Sequence, residues 1–528
     1  MIFAIVNSFS QVRFQKTYEI FGEINVAFSN ASKDSNNYFI GLTTYDPSIT
    51  QIDFCLIKTD FNGDTLWSKI YGGGGANGLS YLTEDSNNNL FLKGTFYGFG
   101  TGYAYNNIHL LKTNSLGDTL WSKLIGNSRE NILLNSIGLN EQKNLLVLNN
   151  DTTFLQIGDA CIIKIDCLGN ILLNKSYGGA DQDLLVGVIP LSNEDFILSG
   201  ATKSYGAGNF DAYILRIDSL GNIIWAKGYG GGQDETAYSI LKTDNGFITL
   251  GETRSYGQGG ADILLMKYDF NGNVLWAKTY GTNIDEGGSR ILKNSNSHFI
   301  ITGFGPHVTT SGNRETFLME IDSLGNLQWA KKYGTSSCHE NFGDISFAPD
   351  GGFLLSGSTR SFGGFDYKGY IAKVDAFGNS GCFEQNVNFI SQDITSLLIQ
   401  TIVNPNVYTD TTIITRPLPI NIYNAPKTIN PLCYSVVSVE ENENNKRNLT
   451  IYPNPSSNEI IIEFEQNNSE NIQITIQNVL GQTVYSESMR ASIDKQTKIL
   501  DISSLQNGLY FVQLKDHDVV YSVRFIKQ

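Results

Sequence analysis

A fifteen-residue motif that recurs along the chain constrains the fold more than any other feature of the sequence. The motif reads Lys-x-Asp-x-x-Gly-Asn-x-x-Trp-x-Lys-x-Tyr-Gly, and one clear copy runs from Arg216 to Gly230. Its first glycine falls at residues 63, 117, 169, 221, 272, 325 and 378, so that successive copies are 51 to 54 residues apart. A period of this length is typical of solenoids and propellers, in which each repeat is one supersecondary unit.

Each repeat divides into four predicted strands. In the copy from 236 to 281, apolar runs at 237–242, 247–250, 262–267 and 274–280 are separated by turn sequences. Asn245-Gly246 favours a two-residue hairpin, because both residues readily adopt positive φ angles. No helical periodicity interrupts the pattern. Four antiparallel strands in about 52 residues are the dimension of a propeller blade.

The series of repeats begins with an extra fourth strand and ends with a repeat that lacks one. A fourth-strand sequence at 14–18 precedes the first complete repeat, whereas the last repeat ends at 378–382 without a Trp-x-Lys-x-Tyr segment. We therefore predict that the N-terminal strand completes the last blade, which would leave no exposed sheet edge at the junction. The predicted fold is all-β, with a seven-bladed β-propeller at residues 11–381. An open β-solenoid is the alternative.

All the tryptophans of the chain occupy one position of the motif: Trp67, Trp121, Trp225, Trp276 and Trp329. Leu173 and Phe14 take that position in two other copies. The segment Asp-x-x-Gly-Asn-x-x-Trp resembles the tryptophan-docking repeat of quinoprotein propellers. That resemblance implies that each Trp packs between neighbouring blades and has a structural role.

The composition changes after the repeats. Residues 382–437 are rich in Thr, Asn and Ile and contain five prolines, which predicts an extended connector with strands lying on the propeller. Cys382 and Cys433 bracket this segment, and in an exported protein we expect them to form a disulfide; two unpaired thiols are the alternative. The polar run at 438–448 predicts a solvated linker that proteases can cleave.

The last 80 residues have a different pattern, with alternating apolar segments that predict a small Ig-like β-sandwich at 449–528. This part resembles the type A C-terminal sorting domain of the type IX secretion system. The resemblance rests on Tyr452-Pro453-Asn454-Pro455, on Gly481 within 479–484, on Gly508 and Tyr510 within 501–512, and on Lys527 in the terminal strand. The repeat itself is similar to the uncharacterised repeat propellers that commonly precede such sorting domains.

The resemblance implies an origin in the Bacteroidota and two partners, the type IX secretion machinery and its sorting protease. It also implies a secreted or outer-membrane surface-attached product, from which the signal peptide and the sorting domain have been removed. Residues 1–10 are interpreted as a partial signal peptide, since an apolar run at 2–6 is followed by small and polar residues. A plain N-terminal strand is the alternative.

Charge and hydropathy exclude other classes of protein. The formal net charge is −15, so we expect no nucleic-acid partner. No apolar run approaches the roughly 18 residues of a transmembrane segment. The chain has five histidines, none of them in a metal-binding motif, and no nucleophile elbow. We therefore predict no catalytic, cofactor-binding or metal-binding residue.

Calcium is kept as an alternative cofactor. Segments 60–64 and 269–273 look like fragments of a calcium loop, although the further oxygen ligands of an EF-hand are missing. An aspartate in this position also forms hydrogen bonds within its own turn.

Three aromatic residues stand in equivalent Gly-rich loops, and we predict that they form a ligand-binding rim: Tyr205, Tyr256 and Phe362. Packing within the hairpins is the alternative role. The predicted function is that of an exported, non-catalytic propeller that binds an extracellular glycan or protein. The alternatives are a polysaccharide hydrolase or lyase that would use repeated carboxylates such as Asp234, Asp285 and Glu340, a quinoprotein-like enzyme, and a structural spacer.

Overall fold

The computed structural model describes residues 11–19, 24–31, 37–46, 51–72, 75–97, 106–126, 137–139, 145–151, 159–305, 315–334, 340–360, 367–409, 414–418, 421–424, 428–437, 449–466, 471–478, 483–490, 494–505, 508–516 and 519–527. Every helix or strand found within these residues is a β-strand, so the all-β prediction is confirmed. A search of the same residues finds no helix long and apolar enough to cross a membrane.

The chain divides into two compact units, one of Val12–Val436 and one that contains Val437–Gln528. The strands up to residue 126 are β1 (Gln11–Glu19), β2 (Ile24–Ala31), β3 (Asn37–Asp46), β4 (Gln51–Asp60), β5 (Thr65–Gly72), β6 (Ala76–Glu84), β7 (Leu90–Tyr97), β8 (Asn106–Thr113) and β9 (Thr119–Gly126). The next repeats contain β10 (Ile137–Leu139), β11 (Leu145–Asp151), β12 (Asp159–Ile165), β13 (Ile171–Gly178), β14 (Asp183–Pro190), β15 (Phe196–Thr202), β16 (Asp211–Ile217) and β17 (Ile223–Gly230).

The last repeats contain β18 (Ser239–Thr243), β19 (Gly246–Thr253), β20 (Asp262–Asp269), β21 (Val274–Gly281), β22 (Gly287–Lys293), β23 (Phe299–Phe304), β24 (Thr316–Ile321), β25 (Leu327–Tyr333), β26 (Glu340–Phe347), β27 (Phe353–Thr359) and β28 (Lys368–Val374). The connector contains β29 (Glu384–Asn386), β30 (Ile390–Asp393), β31 (Ile399–Ile402), β32 (Asn406–Tyr408), β33 (Ile414–Pro417), β34 (Asn421–Asn424) and β35 (Thr428–Val437).

These strands form seven five-stranded sheets, numbered here in chain order. Their strand orders are β2-β3-β4-β5-β34 (sheet 1), β6-β7-β8-β9-β33 (sheet 2), β10-β11-β12-β13-β32 (sheet 3), β14-β15-β16-β17-β31 (sheet 4), β18-β19-β20-β21-β30 (sheet 5), β22-β23-β24-β25-β29 (sheet 6) and β26-β27-β28-β1-β35 (sheet 7). In sheets 1 to 6, the first four strands are consecutive in the sequence, as the repeat predicts.

The prediction of four strands per sheet is wrong by one strand, because the connector supplies a fifth strand to every sheet. The segment 384–437, called the return strap below, visits the sheets in the order 6, 5, 4, 3, 2, 1, 7 and so runs back against the chain order. Without it, the outer edge of each fourth strand would present unpaired N–H and C=O groups.

The N-terminal strand pairs with the third strand of the last repeat, as the offset of the repeats predicts. β1 is antiparallel to β28, with Phe14 opposite Lys373 and Tyr18 opposite Gly369. Sheet 7 is therefore assembled from three segments that are far apart in the sequence.

Apolar clusters join each sheet to the next. One cluster contains Phe54 from sheet 1 and Leu92 from sheet 2, and equivalent clusters lie between the following sheets. Sheet 7 packs against sheet 6 through Leu355 and against sheet 1 through Phe14. Because both faces of a sheet are covered, central strands such as β15 are buried at every residue.

The C-terminal unit contains two sheets around one apolar core. Its strands are β36 (Thr450–Tyr452), β37 (Glu459–Gln466), β38 (Asn471–Asn478), β39 (Thr483–Arg490), β40 (Asp494–Asp501), β41 (Gly508–Asp516) and β42 (Val519–Lys527). The strand orders are β36-β37-β40 and β39-β38-β41-β42. Ile462 from the first sheet and Val512 from the second belong to the same cluster, which is the arrangement expected of a sandwich.

Candidate functional site: a cavity between the first strands

The repeat motif works as a contact between neighbouring sheets. The hydroxyl of Tyr71 donates to the carbonyl of Gly117, in the turn between the third and fourth strands of the next sheet, at 2.7 Å. Equivalent donations join Tyr18 to Gly63, Tyr177 to Gly221, Tyr229 to Gly272, Tyr280 to Gly325 and Tyr333 to Gly378. The constant spacing of the motif therefore places a Tyr of one sheet on the turn of the sheet that follows.

The tryptophans lie in the same contact. A Cβ atom added to the turn glycine of the next sheet would meet the ring of Trp67, Trp121, Trp225, Trp276 or Trp329. At Gly117, that distance is 2.7 Å to Trp67, so only a glycine fits under the ring. The resemblance to the tryptophan-docking repeat implies that the Trp packs at a place of this kind, between neighbouring sheets.

The turn aspartates form hydrogen bonds with their own backbone. Oδ1 of Asp218 accepts from the N–H groups of Leu220 and Asn222 at 2.9 and 2.8 Å. Asp60 and Asp269, from the segments that look like calcium loops, accept from the equivalent N–H groups. Among the residues that the structure describes, no group of three or more His, Cys, Asp or Glu could hold a metal ion. The turn geometry therefore gives each aspartate a structural use, and calcium binding stays an alternative.

The predicted rim residues lie in separate loops and use their hydroxyls within the protein. Tyr205 donates to the carbonyl of Gly178 at 3.1 Å. Tyr256 donates to Gly230 at 3.2 Å and to Leu397 of the return strap at 2.9 Å. Both rings also pack against apolar clusters, which favours the packing role. Phe362 lies outside the described residues.

The carboxylates that a hydrolase or lyase would use hold loops together in the structure. Asp234 accepts from the N–H of Phe210 at 3.1 Å, and Asp285 accepts from that of Ala261 at 2.9 Å. Glu340 is buried beside Gly334. The three residues occupy equivalent or neighbouring places after the Tyr-Gly end of successive repeats, in three different sheet junctions.

The structure describes one of the two cysteines that are predicted to form a disulfide. Cys382 is disulfide-bonded, whereas Cys55, Cys161 and Cys167 are free. Cys433 belongs to β35, and its side chain lies outside the described part of the chain. The pairing of Cys382 with Cys433 stays a prediction.

The first strands of the sheets share one irregularity that the sequence did not reveal. The register shifts just before Ala27, Tyr81, Gly187, Arg290 and Asp344, which lie in sheets 1, 2, 4, 6 and 7. A bulge of this kind redirects the side chain that follows it. All five residues stand four positions after an acidic or amide residue of the repeat, as Arg290 does after Glu286.

Three of the redirected side chains, Tyr81, Arg290 and Asp344, line a cavity of about 380 Å³. Its walls come from the first strands of sheets 2, 5, 6 and 7, with Tyr81, Ser239, Arg290 and Asp344 each at the same repeat position. Thr83, Ser346 and the half-exposed Phe347 add two hydroxyls and a ring. The cavity is thus lined by polar groups of both signs and by aromatic surface.

An ion pair crosses this cavity from one sheet to the next. Nε of Arg290 lies 3.2 Å from Oδ1 of Asp344, and its guanidinium carbon is 4.7 Å from the centre of the Tyr81 ring. Burial disfavours the charged form of Arg290, but the attraction of Asp344 and Tyr81 outweighs it, so the pKa of Arg290 is raised. Burial raises the pKa of Asp344, and the charge of Arg290 opposes that shift. The three residues join sheets 2, 6 and 7.

This arrangement can bind a polar molecule. Arg290 and the hydroxyl groups donate hydrogen bonds, Asp344 accepts them, and the aromatic rings provide an apolar face. Asp344 is the one carboxylate among the lining residues of this cavity, whereas glycoside hydrolysis ordinarily requires two.

Sequence reasoning missed this site. The available signal was that one repeat position carries Ala, Tyr, Gly, Ser, Arg and Asp, while the residue after it stays apolar.

The residues of the predicted sorting signal gather around the terminal strand β42. The side chain of Asn454 accepts from the N–H of Ile526 at 2.9 Å and donates to the carbonyl of Arg524 at 3.0 Å. It therefore pairs with β42 as a strand backbone would. The N–H of Ser456 adds a bond to the carbonyl of Ile526 at 2.8 Å.

Two other signal residues lie beside the same strand. Gly508 and Tyr510 lie on β41 opposite Lys527 and Phe525, and the Tyr510 and Phe525 rings stack with their centres 5.6 Å apart. Tyr452 donates to Glu463 at 2.6 Å. Pro453 and Pro455 flank Asn454, and Gly481 lies outside the described residues.

Comparison with known proteins agrees with this geometry at the C-terminus. Residues 450–528 match the family described as the secretion system C-terminal sorting domain. No match was found among curated proteins. Among solved structures, the chain is similar to a protein titled "Crystal structure of glucose dehydrogenase", with 10% identity and a TM-score of 0.32, over 68% of this chain and 99% of the other. The C-terminal residues therefore form a sorting domain, which indicates export to the cell surface or the medium by the type IX secretion system.

Proposed function

We propose that this chain is an exported, non-catalytic binding protein of the Bacteroidota. In this proposal, its seven sheets close into a seven-bladed β-propeller, and the cavity between the first strands binds a saccharide unit of an extracellular glycan. The observation that carries the proposal is the convergence of Tyr81, Arg290 and Asp344 in one cavity of about 380 Å³.

The packing of the sheets supports a closed ring. Sheet 7 packs against both sheet 6 and sheet 1, so the succession of contacts returns to its beginning. Sheets 2 and 5 stand three steps apart in this succession, yet their first strands line the same cavity. An open row of sheets would keep these strands apart, whereas a propeller brings all first strands to a common axis.

The lining of the cavity supports a saccharide as the ligand. Sugars present hydroxyl groups around the ring edge and an apolar face of C–H groups. Arg290, Asp344 and Ser239 can bond the hydroxyls, and Tyr81 or Phe347 can pack on the apolar face. A volume of about 380 Å³ falls within the range of about 300–1,000 Å³ for small-molecule sites. The export route places the protein where glycans of the cell surface and the surroundings are present.

The test is titration calorimetry of the full chain against a panel of soluble glycans, with the binders then measured on variants. Phe347→Ala removes an aromatic face of the cavity, and we expect it to weaken binding at least tenfold. Phe383→Ala is the matched control, because Phe383 is equally exposed, at 41%, but does not line the cavity. Absence of glycan binding, or equal affinity in the two variants, would contradict the proposal.

A paired variant separates binding from stability. Arg290→Met with Asp344→Leu replaces the buried ion pair by apolar side chains of similar size, which proteins often tolerate without loss of stability. We expect this double variant to keep its melting temperature and to lose glycan affinity. Assay of the same glycans for newly formed reducing ends distinguishes the hydrolase alternative, which predicts their release.

A further inference from the structure

Two buried carboxylates lie beside the same glycine at three successive junctions between sheets. At the junction of sheets 3 and 4, a Cβ atom added to Gly178 would lie 2.2 Å from Oδ1 of Asp159 and 3.1 Å from Oδ2 of Asp183. Both acids are buried. The absence of a side chain at the glycine leaves the space that the two carboxylates occupy. The next two junctions repeat the arrangement, with Gly230 beside Asp211 and Glu235, and Gly281 beside Asp262 and Glu286.

At the second and third of these junctions, the protein supplies hydrogen bonds to both oxygens of the second acid. Glu235 accepts through Oε2 from the N–H of Gly231 at 2.6 Å and through Oε1 from the hydroxyl of Thr253 at 2.6 Å. Glu286 accepts through both oxygens from Thr282, whose N–H and hydroxyl are the donors. These carboxylates therefore need no further partner.

The junction of sheets 3 and 4 differs, because its second acid is an aspartate, which is one methylene shorter. Oδ2 of Asp183 accepts from the N–H of Gly179 at 2.9 Å and from the hydroxyl of Ser204 at 2.7 Å. Oδ1 is buried and has no hydrogen-bond partner among the described residues. Burial raises the pKa of Asp183, and the hydroxyl of Thr202, the equivalent of Thr253, opposes that shift without a hydrogen bond to Oδ1.

A second buried group without a hydrogen-bond partner faces the same junction. Tyr213 of β16 belongs to the apolar cluster that contains Tyr177 of sheet 3, so its ring points toward that sheet. Its hydroxyl is 0% exposed and has no partner in the part of the chain that the structure describes. Burial raises the pKa of Tyr213, and the negative charges of Asp183 and Asp159 raise it further. The hydroxyl therefore lies near both carboxylates.

We propose that a calcium ion binds at the junction of sheets 3 and 4, between the carboxylates of Asp159 and Asp183 and beside the hydroxyl of Tyr213. Ca²⁺ is bound by carboxylate and neutral oxygens in irregular geometries, and water completes its coordination. A divalent cation also removes the repulsion between two neighbouring buried carboxylates. Sheets 5 and 6 carry Leu264 and Phe317 in place of Tyr213, so that their junctions lack this third oxygen.

The small number of carboxylates predicts weak binding. Calcium affinity falls as the charge of the ligand set falls, and extracellular modules bind with Kd values of about 0.1–1 mM. We expect the site to lie in this range, which suits the exported state that the sorting domain indicates.

The test is titration calorimetry of the full chain with CaCl₂, after treatment with EDTA and removal of the chelator. Asp183→Asn replaces one ligand by a neutral group of the same shape, and we expect it to weaken Ca²⁺ binding at least tenfold. Glu235→Gln is the matched control, since it makes the same change at the next junction, where both oxygens already have donors. This control should bind Ca²⁺ as the unmodified protein does.

Thermal unfolding gives a second readout. About 10 mM CaCl₂ should raise the melting temperature of the unmodified protein by about 2 °C or more and leave that of Asp183→Asn unchanged. Without calcium, the variant should melt no lower than the unmodified protein, because it removes a buried charge. Should Asp183→Asn fail to fold, Tyr213→Phe provides the test, since the hydroxyl that it removes has no hydrogen-bond partner among the described residues. We expect Tyr213→Phe to bind Ca²⁺ at least threefold more weakly.

The proposal is overturned if the full chain takes up no Ca²⁺ in this range. It is also overturned if Asp183→Asn, or Tyr213→Phe in its place, binds with unchanged affinity. Uptake that both variants retain would place the ion elsewhere, for instance at the turns that resemble calcium loops, such as 60–64.

Discussion

The hydroxyl of Tyr71, near the end of β5, donates a hydrogen bond of 2.7 Å to the carbonyl oxygen of Gly117 in the following sheet. The donor is fully buried, and the turn that it reaches belongs to a segment more than 40 residues away. This one bond explains why Tyr and Gly recur together in the motif. The sheets are joined by a contact between two positions of the same repeat.

Replacement of Tyr71 by Phe should destabilise the larger unit by about 1–2 kcal/mol, because the buried carbonyl of Gly117 loses its donor. Tyr38→Phe is the matched control. The hydroxyl of Tyr38 is equally buried but has no hydrogen-bond partner in the described part of the structure. Chemical denaturation followed by tyrosine and tryptophan fluorescence measures both. Equal losses of unfolding free energy in the two variants would mean that the Tyr71 hydrogen bond does not stabilise the fold.

Gly117→Ala tests the other side of the contact. Gly117 has a φ of 75°, and an added Cβ would lie 2.7 Å from the Trp67 ring and 2.9 Å from the Tyr71 hydroxyl. The left-handed backbone and the steric overlap together should cost about 2–4 kcal/mol. Gly232→Ala is the control, since its Cβ would meet no atom within 4 Å. We expect Gly117→Ala to lower the melting temperature and Gly232→Ala to leave it unchanged.

The repeat explains why most strands were predictable. Each copy must present a Trp, a Lys and a Tyr to the next turn, so the same residues reappear at a constant spacing and mark the third and fourth strands. The connector was expected to place strands on the propeller, but not to add a fifth strand to every sheet, because the return strap consists of short segments such as β29 and β32, of three residues each. Such segments carry no measurable alternation, and their partners are set by the sheets that they cover.

The candidate site was hidden from sequence reasoning for a different reason. Tyr81, Arg290 and Asp344 come from three sheets, and the strands that carry them also contain other polar residues, so nothing in the sequence singles these three out. Their convergence depends on the bulges and on the packing of sheets that are distant in the sequence. By contrast, the sorting signal was recognisable, because its residues lie within one unit of about 80 residues.

A buried carboxyl group makes the stability of the larger unit depend on pH. Burial raises the pKa of Glu286 from 4.5 to about 7, although Thr282 donates to it. The folded state therefore retains this proton between pH 4.5 and about 7, while the unfolded state releases it. The stabilisation is complete below pH 4.5 and is lost as the pH rises through 7, by about 3 kcal/mol in total.

Glu286→Gln should remove this dependence, because the amide stays neutral. The equivalent position in sheet 2 is already an amide, Asn77, which donates to Asp53 at 3.3 Å. We expect the difference in unfolding free energy between the two proteins to grow with pH from 4.5 to 7, in favour of the variant. Asp244→Asn is the control, since Lys293 lowers the pKa of this exposed carboxyl. A constant difference across this range would contradict the assignment.

The disulfide of Cys382 fastens the end of the repeats. With Cys55, Cys161 and Cys167 free, the remaining cysteines of the chain are Cys338 and Cys433. We expect non-reducing peptide mapping to recover Cys382 linked to Cys433, which would tie both ends of the return strap. Recovery of Cys433 in alkylated form would disprove this pairing. In that case, reduction should not change the protection of the strap in hydrogen exchange.

Asn454 holds the terminal strand through two side-chain bonds, to Arg524 and Ile526. Asn454→Ala removes both and leaves the edge of β42 unpaired at these residues, so we expect the sorting domain to lose about 1–3 kcal/mol. Because the sorting signal is read on this domain, the variant should accumulate inside the cell at the expense of the surface and the medium. Immunoblots of the cell fractions measure this distribution.

The control for this prediction is Asn458→Ala, which alters an exposed amide of the same segment for which no side-chain bond is described. Its export should equal that of the unmodified protein. If Asn454→Ala is exported normally although its sorting domain is destabilised in solution, then recognition does not require the docked conformation of Tyr452 to Pro455. Retention of both variants would show that the segment is read by its sequence, since Asn458→Ala leaves the hydrogen bonds to β42 in place.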